Sequence, residues 1–483
     1  MLCAALVIVA QIAQTPLPSP ADEGIRITHD YTADLAALAP SVPRDQRAWL
    51  KYLEPYGAIR CVPDEVADMP KPGDKEWERA AEYCRQNRKW FAPIRAAAAM
   101  PVMGYPISTQ SDPDILKLPP CPDAAPFSPD PTPQRPPRVA DLQYQFGGMS
   151  RCLTRLLWCD AMLAATEKDS AVVGGDLRAL MGLSRHVAEH AYSTTEIISI
   201  AIAEVMFEAL DHLLRTDPSL LSTSDLRGLM TDLANYPAGG RVRPRLDFER
   251  AEILDEIQRS YSDDGKGDGR LTANGIREID SLTETKPTLE SLLRGDLVLA
   301  GVFWSHVATR AQLVAELDER TNDPSWKAPL WEWTSWPGDP TGRTDEQVKD
   351  YKTKYMLLSV FLPDFRHMAL VSEASLQRRD AARTAIAVEL FRRKNGAFPK
   401  SLDELVPTFL DRVPPDRFTG DPIGYVVADG VAAIYARGPD LKDDHGHANE
   451  EAANQKNWRP PRSPRGADDP APDGDWVLFE VKR

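Results

Sequence analysis

Apolar residues recur at every third or fourth position through most of residues 138–235. This spacing is typical of helices that pack one face against a shared core, and it predicts four helices. Their expected ranges are 140–166, 174–191, 194–214 and 222–233. The third is apolar nearly all round, so we expect it to be central. Because short connections favour antiparallel neighbours, the pattern predicts a helical bundle.

Helical patterns continue beyond this region. Residues 248–261 predict a strongly charged amphipathic helix, and its acidic pair Asp255 and Glu256 is interpreted as part of a solvated face. Helical spacing returns in residues 285–319 and 352–362. From Asp364 a single long helix is predicted to run to Lys394.

Residues 21–137 are irregular and only partly helical, and they end in a proline-rich connector. Twelve prolines lie between positions 101 and 137. Proline fixes φ and lacks an N–H donor, so neither a helix nor a central strand is expected there. We predict an extended segment that lies over the surface of the protein.

The patterns together predict a mainly α protein in which a helical bundle is followed by a small α+β module. A chain of 483 residues is long enough for two or three domains. The predicted parts are a possible signal segment (1–20), the irregular region (21–137), the bundle (138–375) and the α+β module (376–483).

The overall charge narrows the classes of partner. The chain has 72 acidic and 57 basic residues, a formal net charge of −15. A general nucleic-acid surface needs clustered Lys and Arg, and a polybasic membrane segment needs the same. We therefore expect protein partners and no nucleic acid.

The first thirteen residues are apolar apart from Gln11. The run is too short to cross a bilayer, which takes roughly 20 residues, and it is similar to the apolar core of a secretory signal. The alternative is a buried N-terminal strand or helix. We expect export to the periplasm or cell envelope, with a membrane tether if the true start lies upstream.

The six cysteines contain no CxxC pair, which disfavours a zinc ribbon or a thioredoxin-type redox motif. For an exported chain, Cys61 and Cys84 are candidates for a disulfide. Cys152 and Cys159 share a helix face but are too far apart to bond each other, so they are interpreted as small core residues.

The sharpest enzyme signal is the HxxEH sequence formed by His186, Glu189 and His190. Helical spacing places both imidazoles on one face, where they would bind zinc with Glu189 as general base, as in inverted zincin metalloproteases. The further carboxylate ligand would come from Glu249, Glu252 or Glu256. We favour the alternative that these are satisfied or solvated histidines on an amphipathic helix.

The segment that begins at Asp264 is similar to the start of an EF-hand calcium loop, with Asp268 and Gly269 in the expected places. Two ligand positions are occupied by Lys266 and Gly275, which supply no side-chain oxygen. A Gly/Asp turn that joins two helices is the favoured interpretation.

Four tryptophans, Trp326, Trp331, Trp333 and Trp336, lie in a proline-containing loop at 323–338. They would either present aromatic faces to a sugar or partner protein, or fix the loop onto the bundle, and we favour the second.

The sequence has no G-x-S-x-G elbow, phosphate-binding glycine loop or dinucleotide fingerprint. A glycosidase with two catalytic carboxylates remains open, without a specific pair.

Residues 381–435 are the one part of the sequence whose order of residue types can be matched to a known family. In sequence they comprise a helix ending in Lys394-Asn395-Gly396, the pair Phe398-Pro399, a short helix with Leu402 and Leu405, the run Pro414-Pro415-Asp416 and a strand that begins near Ile423. This order resembles the globular part of the type II secretion major pseudopilins.

The resemblance implies a long helix packed on a small antiparallel sheet. The sheet would contain a hairpin of residues 423–428 and 431–436, turned at Asp429-Gly430, and a closing strand at 476–481. An acidic loop in this family often binds calcium, which implies Asp440, Asp443 and Asp444 as ligands. The alternative is a solvated acidic loop.

The chain departs from fibre-forming pseudopilins, because its N-terminus has neither their processing site nor their unbroken membrane helix. We therefore expect a non-catalytic exported or cell-envelope interaction protein that carries a pseudopilin-like module, with no certain cofactor and calcium as the candidate. The alternative is an exported hydrolase, in particular a zinc metalloprotease that uses the HxxEH helix.

Overall fold

The computed structural model describes residues 24–40, 42–118, 132, 136–237, 240–241, 243–263, 265–272, 275, 307–333, 345–362, 364–454 and 471–483. Within these ranges the chain is mainly helical, with one three-stranded antiparallel sheet near the C-terminus. The predicted mainly α class is confirmed.

We number the elements in chain order. The helices of the described residues are α1 (Tyr31–Leu38), α2 (Ala48–Ile59), α3 (Asp64–Ala67), α4 (Trp77–Asn87), α5 (Phe91–Ala98), α6 (Phe146–Thr166), α7 (Ser170–Val187), α8 (Ser193–Thr216), α9 (Thr223–Ala234), α10 (Asp247–Ser260), α11 (Arg310–Thr321), α12 (Asp345–Lys354), α13 (Met356–Phe361) and α14 (Phe365–Asn395). The strands are β1 (Gly424–Ala428), β2 (Val431–Ala436) and β3 (Trp476–Lys482).

Helix α7 packs against α6, α8, α5 and α9, and the bundle core lies between these elements. Asp169 caps α7 by accepting a hydrogen bond from the backbone N–H of Val172 at 3.1 Å. The predicted start at Gly174 is therefore wrong, because an Asp N-cap five residues earlier satisfies a free amide of the first turn. The predicted start of α9 is confirmed, since Ser222 and Asp225 form a reciprocal capping box.

The long helix predicted from Asp364 is confirmed as α14, which runs unbroken for 31 residues. The Asp364 side chain accepts a hydrogen bond from the N–H of His367, and the helix ends at Gly396, whose φ of +78° is left-handed. Glycine reaches this conformation without the steric cost that a Cβ adds. The predicted boundary at 375/376 falls inside this helix.

The sheet has the order β1-β2-β3, and both pairings are antiparallel. The predicted hairpin is confirmed, with positive φ values at Asp429 (+50°) and Gly430 (+78°) as a type I′ turn requires. Strand β3 packs on both α14 and α8. One continuous core therefore joins the sheet to the bundle, with Phe479 of β3 and Leu210 of α8 both fully buried in it.

The proline-rich connector is not a purely surface segment, so the prediction for residues 101–118 is wrong. Met103 and Tyr105 are buried, and Asp112 accepts a hydrogen bond from the indole N–H of Trp49 at 3.1 Å. Proline excludes regular structure there but does not prevent burial, because Glu189 and His190, in the turn that follows α7, supply partners for the backbone. Residues 119–131 and 133–135 lie outside the described residues.

The predicted Cys61–Cys84 pairing is wrong. Cys61 is in a disulfide bond, whereas Cys84 is a free, buried thiol. Cys152 and Cys159 are free and buried in the bundle core, as expected for small core residues. Cys84 lies beside Cys159, and the hydrogen bond with that neighbour, together with burial, raises the pKa of its thiol.

In the described part of the chain, no helix combines the length and the apolar character needed to cross a bilayer. The predicted signal segment (1–20) lies outside the described residues, as do Asp264, Trp336 and residues 285–306 of a predicted helix.

A glycine in the middle of α7 permits the close approach of α5. A Cβ on Gly182 would lie 2.1 Å from the backbone oxygen of Ala98 at the end of α5. We expect Gly182→Ala to lower the free energy of unfolding by about 1–3 kcal/mol, because the clash outweighs the better helix propensity of alanine. Denaturant unfolding measures the change.

Gly228, in the interior of α9, is the matched control. A Cβ there would meet its nearest atoms, in the guanidinium of Arg178, at 3.6 Å. We expect Gly228→Ala to stabilise the protein by up to about 1 kcal/mol through helix propensity. Equal effects of the two substitutions would contradict the role of Gly182 in helix packing.

Candidate functional site

The HxxEH residues lie at the end of α7 and in the turn that follows it, where they bind the backbone of residues 100–105. His186 Nε2 lies 2.8 Å from the carbonyl oxygen of Met100, and its Nδ1 lies 3.0 Å from the Tyr52 hydroxyl. Since a carbonyl oxygen only accepts, the proton of the neutral ring belongs on Nε2.

The other two motif residues hold the rest of the same segment. The Glu189 carboxylate accepts hydrogen bonds from the N–H groups of Met103 (2.6 Å) and Gly104 (3.0 Å). His190 Nε2 lies 3.3 Å from the carbonyl oxygen of Tyr105. We call this arrangement the backbone clamp, formed by His186, Glu189 and His190 on residues 100–105.

The electrostatics of the backbone clamp match a structural role. Burial lowers the pKa of His186 and of His190 to about 4, so both rings are neutral at neutral pH. Burial also raises the pKa of Glu189, although its two backbone hydrogen bonds oppose that shift. His190 stacks on Phe146 with ring centroids 4.8 Å apart.

Zinc requires at least a third ligand, and the described residues do not bring one to these histidines. No three His, Cys, Asp or Glu side chains within the described ranges are grouped so as to hold a metal ion. Of the three candidate carboxylates, Glu249 accepts a hydrogen bond from the N–H of Ser193 at 2.9 Å, and Glu256 pairs with Arg138. Burial raises the pKa of Glu252 to about 8.

The predicted solvated face of α10 is wrong, because Asp255 and Glu256 are fully buried. Glu256 forms a bidentate pair with Arg138, and both N–O distances are 2.9 Å. Asp255 pairs with Arg259 at 2.9 Å and accepts a hydrogen bond from the N–H of Val139. Buried carboxylates need such partners, and here the 3-10 turn Val139–Asp141 and its N-cap residue Arg138 supply part of them.

The three predicted calcium ligands are in one loop, but their carboxylates have separate partners. Asp440 pairs with Lys442 at 3.2 Å, Asp443 accepts hydrogen bonds from the Tyr435 hydroxyl (2.8 Å) and the N–H of His445 (3.0 Å), and Asp444 accepts one from the N–H of Gly474 (3.0 Å). These bonds fix the loop against β2 and the start of β3.

Sequence reasoning missed a further acidic residue of this loop. Asp475, which precedes β3, is fully buried and accepts a hydrogen bond from the N–H of Gly446 at 2.7 Å. Burial raises the pKa of Asp475. Its position one residue before the predicted closing strand is the signal that could have linked it to the acidic loop.

The EF-hand-like segment is a hairpin turn in the part that is described. Ser262 N–H donates to the carbonyl of Arg270 at 2.9 Å, and Tyr261 pairs with Leu271 in an antiparallel bridge. A Cβ on Gly269 would lie 1.8 Å from the backbone oxygen of Ser262, so the turn itself requires that glycine.

The tryptophan loop packs inward, as favoured from the sequence. Trp326 and Trp333 are buried, and Trp326 contacts Phe365 at the start of α14 with ring centroids 5.1 Å apart. Phe418, from the C-terminal module, belongs to the same hydrophobic cluster. The loop therefore contributes to the contact between the bundle and the module.

A buried charged cluster, which sequence reasoning missed, lies where α14 meets the bundle and the module. Glu373 of α14 pairs with Arg243 at 2.7 Å and with Arg417 at 3.3 Å. Arg417 also pairs with Asp380 of α14 at 3.0 Å, and Asp380 pairs with Arg379 at 2.6 Å. We call this set the junction cluster.

The junction cluster extends to α8 through the segment that precedes α10. Glu196 of α8 lies 2.9 Å from Arg245 and 3.5 Å from Arg241. The sequence signal was present in the run Arg241-Val-Arg243-Pro-Arg245, three arginines at alternating positions. Their acidic partners are distant in sequence, so the pairing was not readable from spacing.

Comparison with known proteins adds no family to these observations. No family model matches the chain, and the searches of curated proteins and of solved structures return no match.

Proposed function

We propose that this chain is a non-catalytic, exported or cell-envelope interaction protein whose C-terminal module is pseudopilin-like. The observation that carries the proposal is the long helix α14, ended by Gly396 and packed on an antiparallel sheet in which a tight hairpin is followed by a closing strand. The short 3-10 turn Leu402–Leu405 lies between them, in the order that the resemblance implies.

Two further observations support the proposal. The disulfide at Cys61 is typical of an oxidising compartment outside the cytoplasm. The backbone clamp uses the polar atoms of the HxxEH residues for hydrogen bonds within the protein, which favours a structural role over catalysis. Protein partners are the proposed ligands of the folded chain, because its net charge of −15 disfavours nucleic acid.

Cell fractionation combined with mass spectrometry of the cysteines tests the location. We expect the protein in the envelope fraction, with Cys61 in a disulfide and Cys84 as a free thiol. The free Cys84 is an internal control, because it must be detected by the same labelling once the protein is denatured. A cytosolic protein with reduced Cys61 contradicts the proposal.

Metal analysis of the purified protein tests the non-catalytic part. The expected result is that zinc does not co-purify stoichiometrically and that His186→Gln leaves the metal content unchanged. Stoichiometric zinc that is lost in both His186→Gln and His190→Phe would overturn the proposal in favour of a metallohydrolase.

A further inference from the structure

A cavity of about 500 Å³ lies between residues 241–250 and 321–327. Five of its lining residues are basic: Arg241, Arg243, Arg245, Arg250 and Lys327. Asp247 is the acidic residue among the described lining residues. We call this space the arginine cavity. A volume of this size suits a small organic molecule, since ligand pockets span roughly 300–1,000 Å³.

Cations dominate the lining of the arginine cavity, where Asp247 is opposed by five basic side chains. Among the described residues, the four lining arginines pair with three acids outside the lining: Arg241 and Arg245 share Glu196, Arg243 pairs with Glu373, and Arg250 pairs with Asp318. A bound anion would balance the remaining positive charge of the lining.

Several guanidinium groups of the cavity are already fixed in position. Arg243 pairs with Glu373 and lies 5.8 Å and 5.3 Å from the ring centroids of Trp326 and Trp333. Arg245 donates to the carbonyl oxygens of residues 188 and 189 at 2.7 and 3.0 Å. Such fixed donors bind an anion without a large loss of side-chain entropy.

Two other cations have capacity for a ligand. Arg241 lines the cavity with 27% of its side chain exposed, and the carboxylate that pairs with it, Glu196, is 3.5 Å away and is shared with Arg245. Lys327 is exposed, and no ion pair of Lys327 is present among the described residues. A guanidinium fork and an ammonium group on one cavity are suited to a carboxylate or a phosphate.

The first turn of α10 adds to the positive field. Leu246 and Asp247 line the cavity at the N-terminus of this 14-residue helix. The N-terminal end of a helix carries a partial positive charge that favours anions. The side chain of Asp247 is exposed to solvent and opposes this field only through a screened interaction.

We propose that the arginine cavity binds a small organic anion bearing a carboxylate or phosphate group, which Arg241 and Lys327 contact directly. Arg243 and Arg245 act as fixed positive groups behind them. Binding at this site requires neither a resemblance of the C-terminal module to pseudopilins nor a particular location of the protein.

Isothermal titration of the full chain with glucuronate, glucose 6-phosphate, inorganic phosphate and glucose tests the proposal. We expect at least one of the two organic anions to bind, and to bind at least about tenfold more tightly than inorganic phosphate, while glucose does not bind. Binding should weaken as the salt concentration rises. If neither organic anion binds at about 10 mM, or inorganic phosphate binds as tightly, the proposal is overturned.

A double variant tests whether the organic anion binds in the arginine cavity. We expect Arg241→Gln with Lys327→Gln to weaken binding of the organic anion at least about tenfold, while circular dichroism and the melting temperature of the free protein stay close to the wild type. Lys75→Gln with Arg79→Gln removes the same charge from exposed positions at α4 and is the control. Unchanged affinity in the cavity variant, or an equal loss in the control, contradicts the assignment.

Discussion

Replacing Glu373 by alanine is expected to lower the free energy of unfolding by roughly 3–5 kcal/mol. Glu373 is fully buried and compensates the guanidinium groups of Arg243 and Arg417, and the Arg243 side chain is only 2% exposed. Its removal leaves that charge buried with no carboxylate at this position. Chemical denaturation at neutral pH, with an unchanged m-value, measures the loss.

Two further variants distinguish the effect of burial on the free energy of unfolding from the effect of losing an ion pair. Arg178 and Asp232 have the same 2.7 Å separation as Arg243 and Glu373, but their side chains are 56% and 27% exposed. We expect Asp232→Ala to cost less than about 1 kcal/mol, because water screens that pair. The double variant Glu373→Leu with Arg243→Leu should recover part of the loss, since it leaves neither partner alone. Equal costs for Glu373→Ala and Asp232→Ala would contradict the role of burial.

The second large effect is a dependence of stability on pH that arises from the backbone clamp. His186 and His190 have pKa values near 4 in the folded protein, whereas an unfolded histidine titrates near 6.5. Between these values the unfolded chain binds more protons, so stability is fully present above about pH 6.5 and falls as the pH is lowered towards 4. The expected loss is roughly 2 kcal/mol per histidine at pH 5.

The measurement compares pH profiles rather than single values. Burial raises the pKa of Glu249 to about 7 and that of Glu252 to about 8, and these acids act in the opposite direction, because the folded state then binds more protons. The double variant His186→Gln with His190→Phe keeps both acids and removes both imidazoles. Between pH 7.5 and pH 5 the wild type should lose about 4 kcal/mol more than this variant. Parallel profiles would contradict the burial of neutral histidines.

The C-terminal module was the part most accessible to sequence reasoning, because its signals are local. A left-handed glycine ends α14, and Asp429-Gly430 forms a tight turn between two short apolar strands. Such signals act over two to four residues and need no partner elsewhere in the chain. The start of α9 at Ser222 was predictable for the same reason, because the capping box that fixes it is also local.

The errors concern residues whose partners are distant in sequence. Glu256 was interpreted as solvated because its helix is highly charged, but its partner Arg138 is 118 positions away. The favoured interpretation of the HxxEH histidines as satisfied or solvated was not an error, but it named no partner, because the backbone that they bind lies 85 or 86 positions away. The spacing of residues within one helix indicates which of them share a face, but it does not indicate what that face contacts.

The disulfide was mispredicted for a related reason. Cys84 of α4 is buried in the bundle core, beside Cys159 of α6. In this position it is a free thiol and does not pair with Cys61. The candidate anion site was not predicted, since it depends on Arg241 and Lys327 being brought to one cavity from segments more than eighty residues apart.

Helix α14 has a consequence for how this architecture is inherited. Its 31 residues form a rod of roughly 45 Å whose first half packs with the tryptophan loop and whose second half packs with the sheet. Strand β3 also lies against α8, so the sheet has no complete core of its own. A gene segment that encoded only the C-terminal module would carry exposed apolar surface into any new host protein. Recombination would therefore have to transfer α8 and α14 with the sheet, and the bundle and module are expected to evolve as one unit.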